Sequence, residues 1–141
     1  MVLVAKVSVN RSVAPLTGLF VEPVLTHCGK ARLSLPDVSA PELAAWLADA
    51  GRERPLLLDV REPWEFDKAR IDGAQLMPMR EVPARFEELD RVRDVVAICH
   101  HGSRSQQVAM FLEKAGFTRI HNLAGGVDAW SRTVDPTVPL Y

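Results

Sequence analysis

Val95-Val-Ala-Ile-Cys-His-His-Gly-Ser-Arg-Ser-Gln-Gln-Val108 opens with an apolar run and closes on a helical repeat. Val95 to Ile98 is short, continuous and rich in β-branched residues, the pattern of a strand buried on both faces. After the loop, Val108, Phe111, Leu112 and Ala115 recur at helical spacing. The segment therefore predicts a strand, a tight loop and a helix start. Cys99 stands at the end of the strand, facing a helix N-terminus whose first amides have no partner within the helix.

The same alternation extends to either side. Upstream, Leu56 to Val60 is a second buried strand, ending in Asp59, Arg61 and Glu62. Charged residues at the C-terminal end of such a strand lie where open α/β sheets place their ligand crevice. Pro63 to Lys68 predicts a short helix, and Ile71 to Met77 a turn at Asp72-Gly73 followed by a strand. Val82, Phe86 and Leu89 have helical spacing, with Pro83 in the first turn. Farther upstream, Ser39 suits an N-cap, Pro41 and Glu42 suit the first turn, and Gly51 suits the stop. Trp46 falls on the core-facing side of that helix. Downstream, Lys114 and Gly116 end the helix after the loop, and Phe117 to Leu123 predicts another strand. Gly125-Gly126 predicts a turn before a short segment holding Val127 and Trp130. Strands alternating with helices predict an α/β fold: a parallel sheet with helices on both faces and right-handed crossovers.

The 141 residues suit one domain with a substantial core. Apolar residues make up 48% and charged residues 25%, and the formal net charge is -1. No strong field favours nucleic acid or an anionic membrane, and no apolar run approaches the roughly 20 residues that span a bilayer. Two cysteines, Cys28 and Cys99, make no disulfide framework, which favours a reducing, cytoplasmic setting. Residues 1–33 are expected to be an N-terminal extension, poorly ordered or an edge strand. Residues 34–133 form the domain and 134–141 a C-terminal tail. Cys28 is an incidental thiol or a resolving partner for Cys99.

The loop has the chemistry of an anion cradle. Gly102 permits backbone turns that other residues resist, and successive inward amides make a nest for negative charge. Ser103 and Ser105 can donate hydrogen bonds, and one of them is expected to cap the helix. Arg104 supplies a permanent cation, and His100 and His101 add charge if protonated. All of these favour Cys99 as a thiolate, the nucleophilic form. Adjacent histidines beside one cysteine lack zinc-like spacing, so no metal is expected.

The motifs Leu57-Leu-Asp-Val-Arg-Glu-Pro-Trp-Glu-Phe66, Ile71-Asp-Gly-Ala74, Cys99-His-His-Gly-Ser-Arg-Ser105, Ala115-Gly-Phe117 and Leu123-Ala-Gly-Gly-Val-Asp-Ala-Trp130 resemble, in order, those of a single-domain rhodanese. The resemblance implies a rhodanese-like α/β fold around a central parallel sheet. It implies a sulfurtransferase in which Cys99 takes a sulfane sulfur from thiosulfate, a polysulfide or a low-molecular-weight persulfide, with no resident cofactor. A thiol, a protein acceptor or cyanide then removes the sulfur. By the same resemblance, the amides of His100, His101, Gly102, Ser103, Arg104 and Ser105 hold the Cys99 persulfide. Asp59 and Arg61 match a charged pair that braces the loop, with Arg61 also placed to face the donor. The chain departs from the family at Ala69-Arg-Ile-Asp-Gly-Ala74, where Gly-His-Ile-Pro-Gly-Ala is common. Related cysteine phosphatases and arsenate reductases use a Cys-X-X-X-X-X-Arg loop; the shorter Cys99-to-Arg104 loop suits one transferred sulfur better than a tetrahedral oxyanion. A non-catalytic rhodanese-like binding module is the other alternative, and such modules usually lack the cysteine.

Overall fold

The computed structural model describes residues 35–141; the expectations for residues 1–33, and for Cys28, lie outside them. Five parallel strands make one sheet in the order β1-β5-β4-β2-β3. They are β1 (Asp37–Val38), β2 (Leu56–Asp59), β3 (Gln75–Leu76), β4 (Val95–Ile98) and β5 (Ile120–Leu123). Five helices accompany them: α1 (Ala40–Ala48), α2 (Pro63–Lys68), α3 (Val82–Arg85), α4 (Ser103–Lys114) and α5 (Gly126–Thr133).

Strand β4 is central and wholly buried because all four of its residues are apolar. It pairs with β2 from Leu56↔Val95 to Asp59↔Ile98, and with β5 from Val95↔Ile120 to Ala97↔Asn122. Side chains alternate across the sheet. Leu58, Val60, Val95, Ala97 and Cys99 pack with Val82, Val108 and Leu112 from α3 and α4. Leu57, Val96 and Ile98 pack with Leu43, Trp46, Val127 and Trp130 from α1 and α5. Helices thus cover both faces, and the alternation continues into Cys99, setting it on the α4 side.

Local chemistry explains most of the element ends. Ser39 caps α1 in a reciprocal box with Glu42, as Ser39 Oγ accepts from the Glu42 N–H and the Glu42 carboxylate accepts from the Ser39 N–H. The helix ends earlier than Gly51 predicts, at Ala48 with Asp49 as C-cap. Asp49 Oδ1 then accepts the Gly51 N–H, which puts Gly51 in the turn beyond the cap. The strand expected over Phe117 to Leu123 is shorter, Ile120–Leu123, since Phe117 is spent closing α4 through its N–H to Leu112 O.

Candidate active site

Cys99, 1% exposed, lies where β4 leaves the sheet. It is enclosed by polar as well as apolar atoms. The Gly102 N–H donates to Sγ at 3.0 Å, and Ser105 Oγ stands 3.3 Å from it. The Ser105 hydroxyl also lies 2.6 Å from Asn122 Oδ1 and 3.2 Å from Gly102 O, so its single hydrogen has three acceptors within reach.

Helix α5 sets the loop's orientation. The Val127 N–H donates to Cys99 O at 2.9 Å and the Asp128 N–H to His100 O at 3.1 Å. In a planar trans peptide the C=O and the next N–H point in opposite directions. With the carbonyls of Cys99 and His100 drawn toward α5, the N–H groups of His100 and His101 turn away from it. The approach is so close that a Cβ on Gly126 would sit 2.2 Å from Cys99 O. Gly102 makes the final turn with φ 101° and is itself the N-cap of α4. The expectation that a serine caps this helix is therefore corrected: Ser103 is already helical, and Ser105 bonds inside the first turn. The first α4 bond runs from the Gln106 N–H to Gly102 O. The amides of Ser103, Arg104 and Ser105 precede it and have no partner within the helix.

Arg104 grips Glu65 with both ends of its fork, Nη1 to Oε2 at 2.8 Å and Nη2 to Oε1 at 2.7 Å. Glu65 is buried in the first turn of α2. Bonding to Arg104 is the main reason its carboxyl is pulled down from 4.5 to about 2. The same pair holds the Arg104 guanidinium above its ordinary range. Asp59 and Arg61 are wholly buried and paired at 2.7 Å. Arg61 also donates to Ala69 O at 2.6 Å and to the Tyr141 hydroxyl at 2.6 Å. Its fork is spent on protein atoms and has no exposed surface, so the expectation that it faces a donor is corrected. Burial, then the neighbouring His101, hold His100 below the ordinary 6.5, which disfavours the charged form in which it would add to the loop's field.

Glu65, Asn122 and Tyr141 join the site without having been singled out in the sequence. Their partners lie 39, 17 and 80 positions away along the chain, at Arg104, Ser105 and Arg61, and no local pattern reports such distances. Among the described residues, one group offers a metal-sized set of donors, His100, His101 and Asp128, with one ligand atom each within 4.8 Å of one another. The Asp128 carboxylate is already engaged by Arg132 at 2.8 and 3.2 Å.

The family model for the rhodanese-like domain matches residues 39–133. The chain belongs to the rhodanese-like domain family. A "Sulfurtransferase" from Allochromatium vinosum is 38% identical over 102 residues, covering 72% of this chain and 94% of that protein. "Rhodanese-like/PpiC domain-containing protein 12, chloroplastic" from Arabidopsis thaliana is 34% identical, and the match covers 78% of this chain but 38% of that longer protein. The crystal structure of a rhodanese-like domain protein from Staphylococcus aureus superposes with a TM-score of 0.66 at 25% identity, covering 76% of this chain and 99% of that one. The rhodanese-like domain accounts for the elements from α1 through α5. Among the described residues no helix is long and apolar enough to cross a membrane.

Proposed function

We propose that this rhodanese-like domain is a sulfurtransferase that carries a sulfane sulfur on Cys99. The observation that carries the reading is the Gly102 N–H aimed at Cys99 Sγ at 3.0 Å, at the mouth of a helix whose first-turn amides are unspent. A thiolate is the nucleophile in sulfur exchange, and donors fixed beforehand stabilise its charge without reorganising. The Allochromatium relative, named as a sulfurtransferase, supports the same reading.

With thiosulfate as donor, the Cys99 thiolate attacks the outer sulfur. An S–S bond forms to Sγ, and sulfite leaves with the electron pair of the broken S–S bond. The product is a Cys99 persulfide anion, whose terminal sulfur accepts hydrogen bonds from the amides of the loop between His100 and Ser105. An acceptor thiolate or cyanide then attacks that terminal sulfur and releases the Cys99 thiolate. Cyanide becomes thiocyanate. Neither step needs a redox cofactor or a metal. A cysteine only 1% exposed favours a one-atom donor end over a tetrahedral phosphate or arsenate. Polysulfide and low-molecular-weight persulfide present the same end, and a protein thiol can serve as acceptor.

Intact mass after incubation with thiosulfate tests the reading. The expected result is a gain of one sulfur atom, reversed by dithiothreitol and absent in Cys99→Ser, with thiocyanate formed when cyanide is added. No gain with thiosulfate, polysulfide or glutathione persulfide would reduce the domain to a binding module. Turnover of an aryl phosphate would favour a phosphatase.

A further inference from the structure

Residues 134–141 form no strand or helix, yet they bring one side chain back to the site. The N–H groups of Val134 and Asp135 both donate to Trp130 O, at 2.9 and 3.0 Å, and the Val138 N–H donates to Asp135 O at 3.1 Å. The Asp135 carboxylate accepts from the Thr137 N–H at 3.0 Å and from its hydroxyl at 2.5 Å. Val138 is buried in the apolar layer that includes Trp130 and Val127. This anchored segment delivers Tyr141.

The Tyr141 hydroxyl accepts from Arg61 Nη1 at 2.6 Å and donates to Glu65 Oε1 at 3.2 Å. It bonds a side chain of each of two ion pairs, the buried Asp59–Arg61 pair at the end of β2 and the part-buried Glu65–Arg104 pair between α2 and α4. Its ring lies 4.3 Å from the His100 ring, on the loop itself. Trp64 meets the ring edge-on at 5.9 Å. Without the phenol, Arg61 Nη1 keeps only a long 3.4 Å contact to Glu65 O. A buried guanidinium N–H stripped of its partner is costly, so Arg61 would compete for the carboxylate that holds Arg104.

We propose that Tyr141 is a positioning residue for the Cys99 loop: its phenol couples the Arg61 and Arg104 ion pairs, and its ring braces His100. Arg104 is thereby kept beside the loop as the cation that an anionic donor meets. Burial pushes the phenol above its ordinary value, so it stays protonated and able to donate to Glu65. The kinetic part of this proposal rests on the sulfur-transfer reading; the charge effect does not.

Tyr141→Phe keeps the ring and removes the bridge; Tyr141→Ala removes both. In Tyr141→Phe the KM for thiosulfate is expected to rise about tenfold, the size of one hydrogen bond to a charged group, with the KM for cyanide unchanged. Tyr141→Ala should lose more, in kcat as well. A purely structural role would lower the folded fraction, hence apparent kcat, and leave KM alone. A wild-type thiosulfate KM in both variants would overturn the proposal. If the wild-type protein transfers no sulfur, the ratio of Cys99 alkylation rates by iodoacetate and by iodoacetamide gives a separate answer. That ratio falls several-fold in Tyr141→Phe if Arg104 is displaced, and an unchanged ratio overturns the inference whatever the domain catalyses.

Discussion

Gly126 has φ +59°, and the Cβ of any other residue there would lie 2.2 Å from Cys99 O and 2.4 Å from His100 O. Those carbonyls are the acceptors through which α5 turns the loop, so the clash cannot be relieved without moving the backbone of Cys99 itself. Gly73 makes the useful contrast, with φ +80° but nothing within 4 Å of an added Cβ. Gly73→Ala should cost about 1 kcal/mol, the price of a left-handed alanine, and leave activity intact. Gly126→Ala should cost several-fold more in denaturant unfolding and depress sulfur transfer by at least about a hundredfold, since small misplacements at a reacting centre carry penalties of that order. Equal effects from the two substitutions would mean that α5 does not set the loop. Cys99, Gly102 and the unspent amides were legible in the sequence because they are contiguous: a strand end, a turn residue and a helix start lie within a few positions. The downward shift of His100 was not, because it depends on burial and on the geometry of two adjacent rings.

At the scale of elements, α4 and α2 are joined by one fork. Arg104 in the first turn of α4 reaches Glu65 in the first turn of α2. A carboxylate in a first turn is favoured by the helix dipole, and Glu65 also accepts the Glu62 N–H at 2.9 Å, closing its own helix start. One side chain therefore caps the start of α2 and grips the first turn of α4 opposite. Glu65→Gln keeps the shape and removes the charge. Arg104 then loses a charge-assisted bidentate contact, and sulfur transfer should fall about tenfold, with the far-UV circular dichroism of the wild type retained. Wild-type kinetics in Glu65→Gln would show that the fork holds α2 and not the loop. Most of the strands and helices were readable from periodicity and breakers, although α5 read only as a short segment after Gly125-Gly126. The pairing of α2 with α4 was not readable, because Glu65 and Arg104 are 39 residues apart and belong to different periodic segments. Strand β1 also escaped notice: two residues, Asp37 and Val38, are too few to show an alternation, and their strand character comes from pairing with Asn122 and Leu123 of β5.

Across the described residues, two apolar layers clamp a parallel sheet whose C-terminal edge carries the buried charge. Asp59, Arg61 and Glu65 are among the few buried charged side chains of the described residues, and all converge on that edge. The site and the stability of the fold are consequently titrated together. In the unfolded chain Glu65 takes up a proton near 4.5; in the folded one it holds its charge down to about 2. The unfolded state binds the proton more readily, so stability rises with pH through that interval. The contribution of Glu65 is fully present above pH 4.5, declines as the pH falls, and is gone below about 2. Its size is about 3 kcal/mol at most, from the energy carried by each pH unit of such a displacement. Urea midpoints measured from pH 7 to pH 2 should therefore fall more steeply for the wild type than for Glu65→Gln. The two curves should approach one another at the acid end, where the wild-type carboxyl is also neutral. Curves that stay parallel over the whole range would mean that Arg104 does not hold Glu65 charged in the folded protein, and the link between the α2–α4 fork and the Cys99 loop would lose its electrostatic basis.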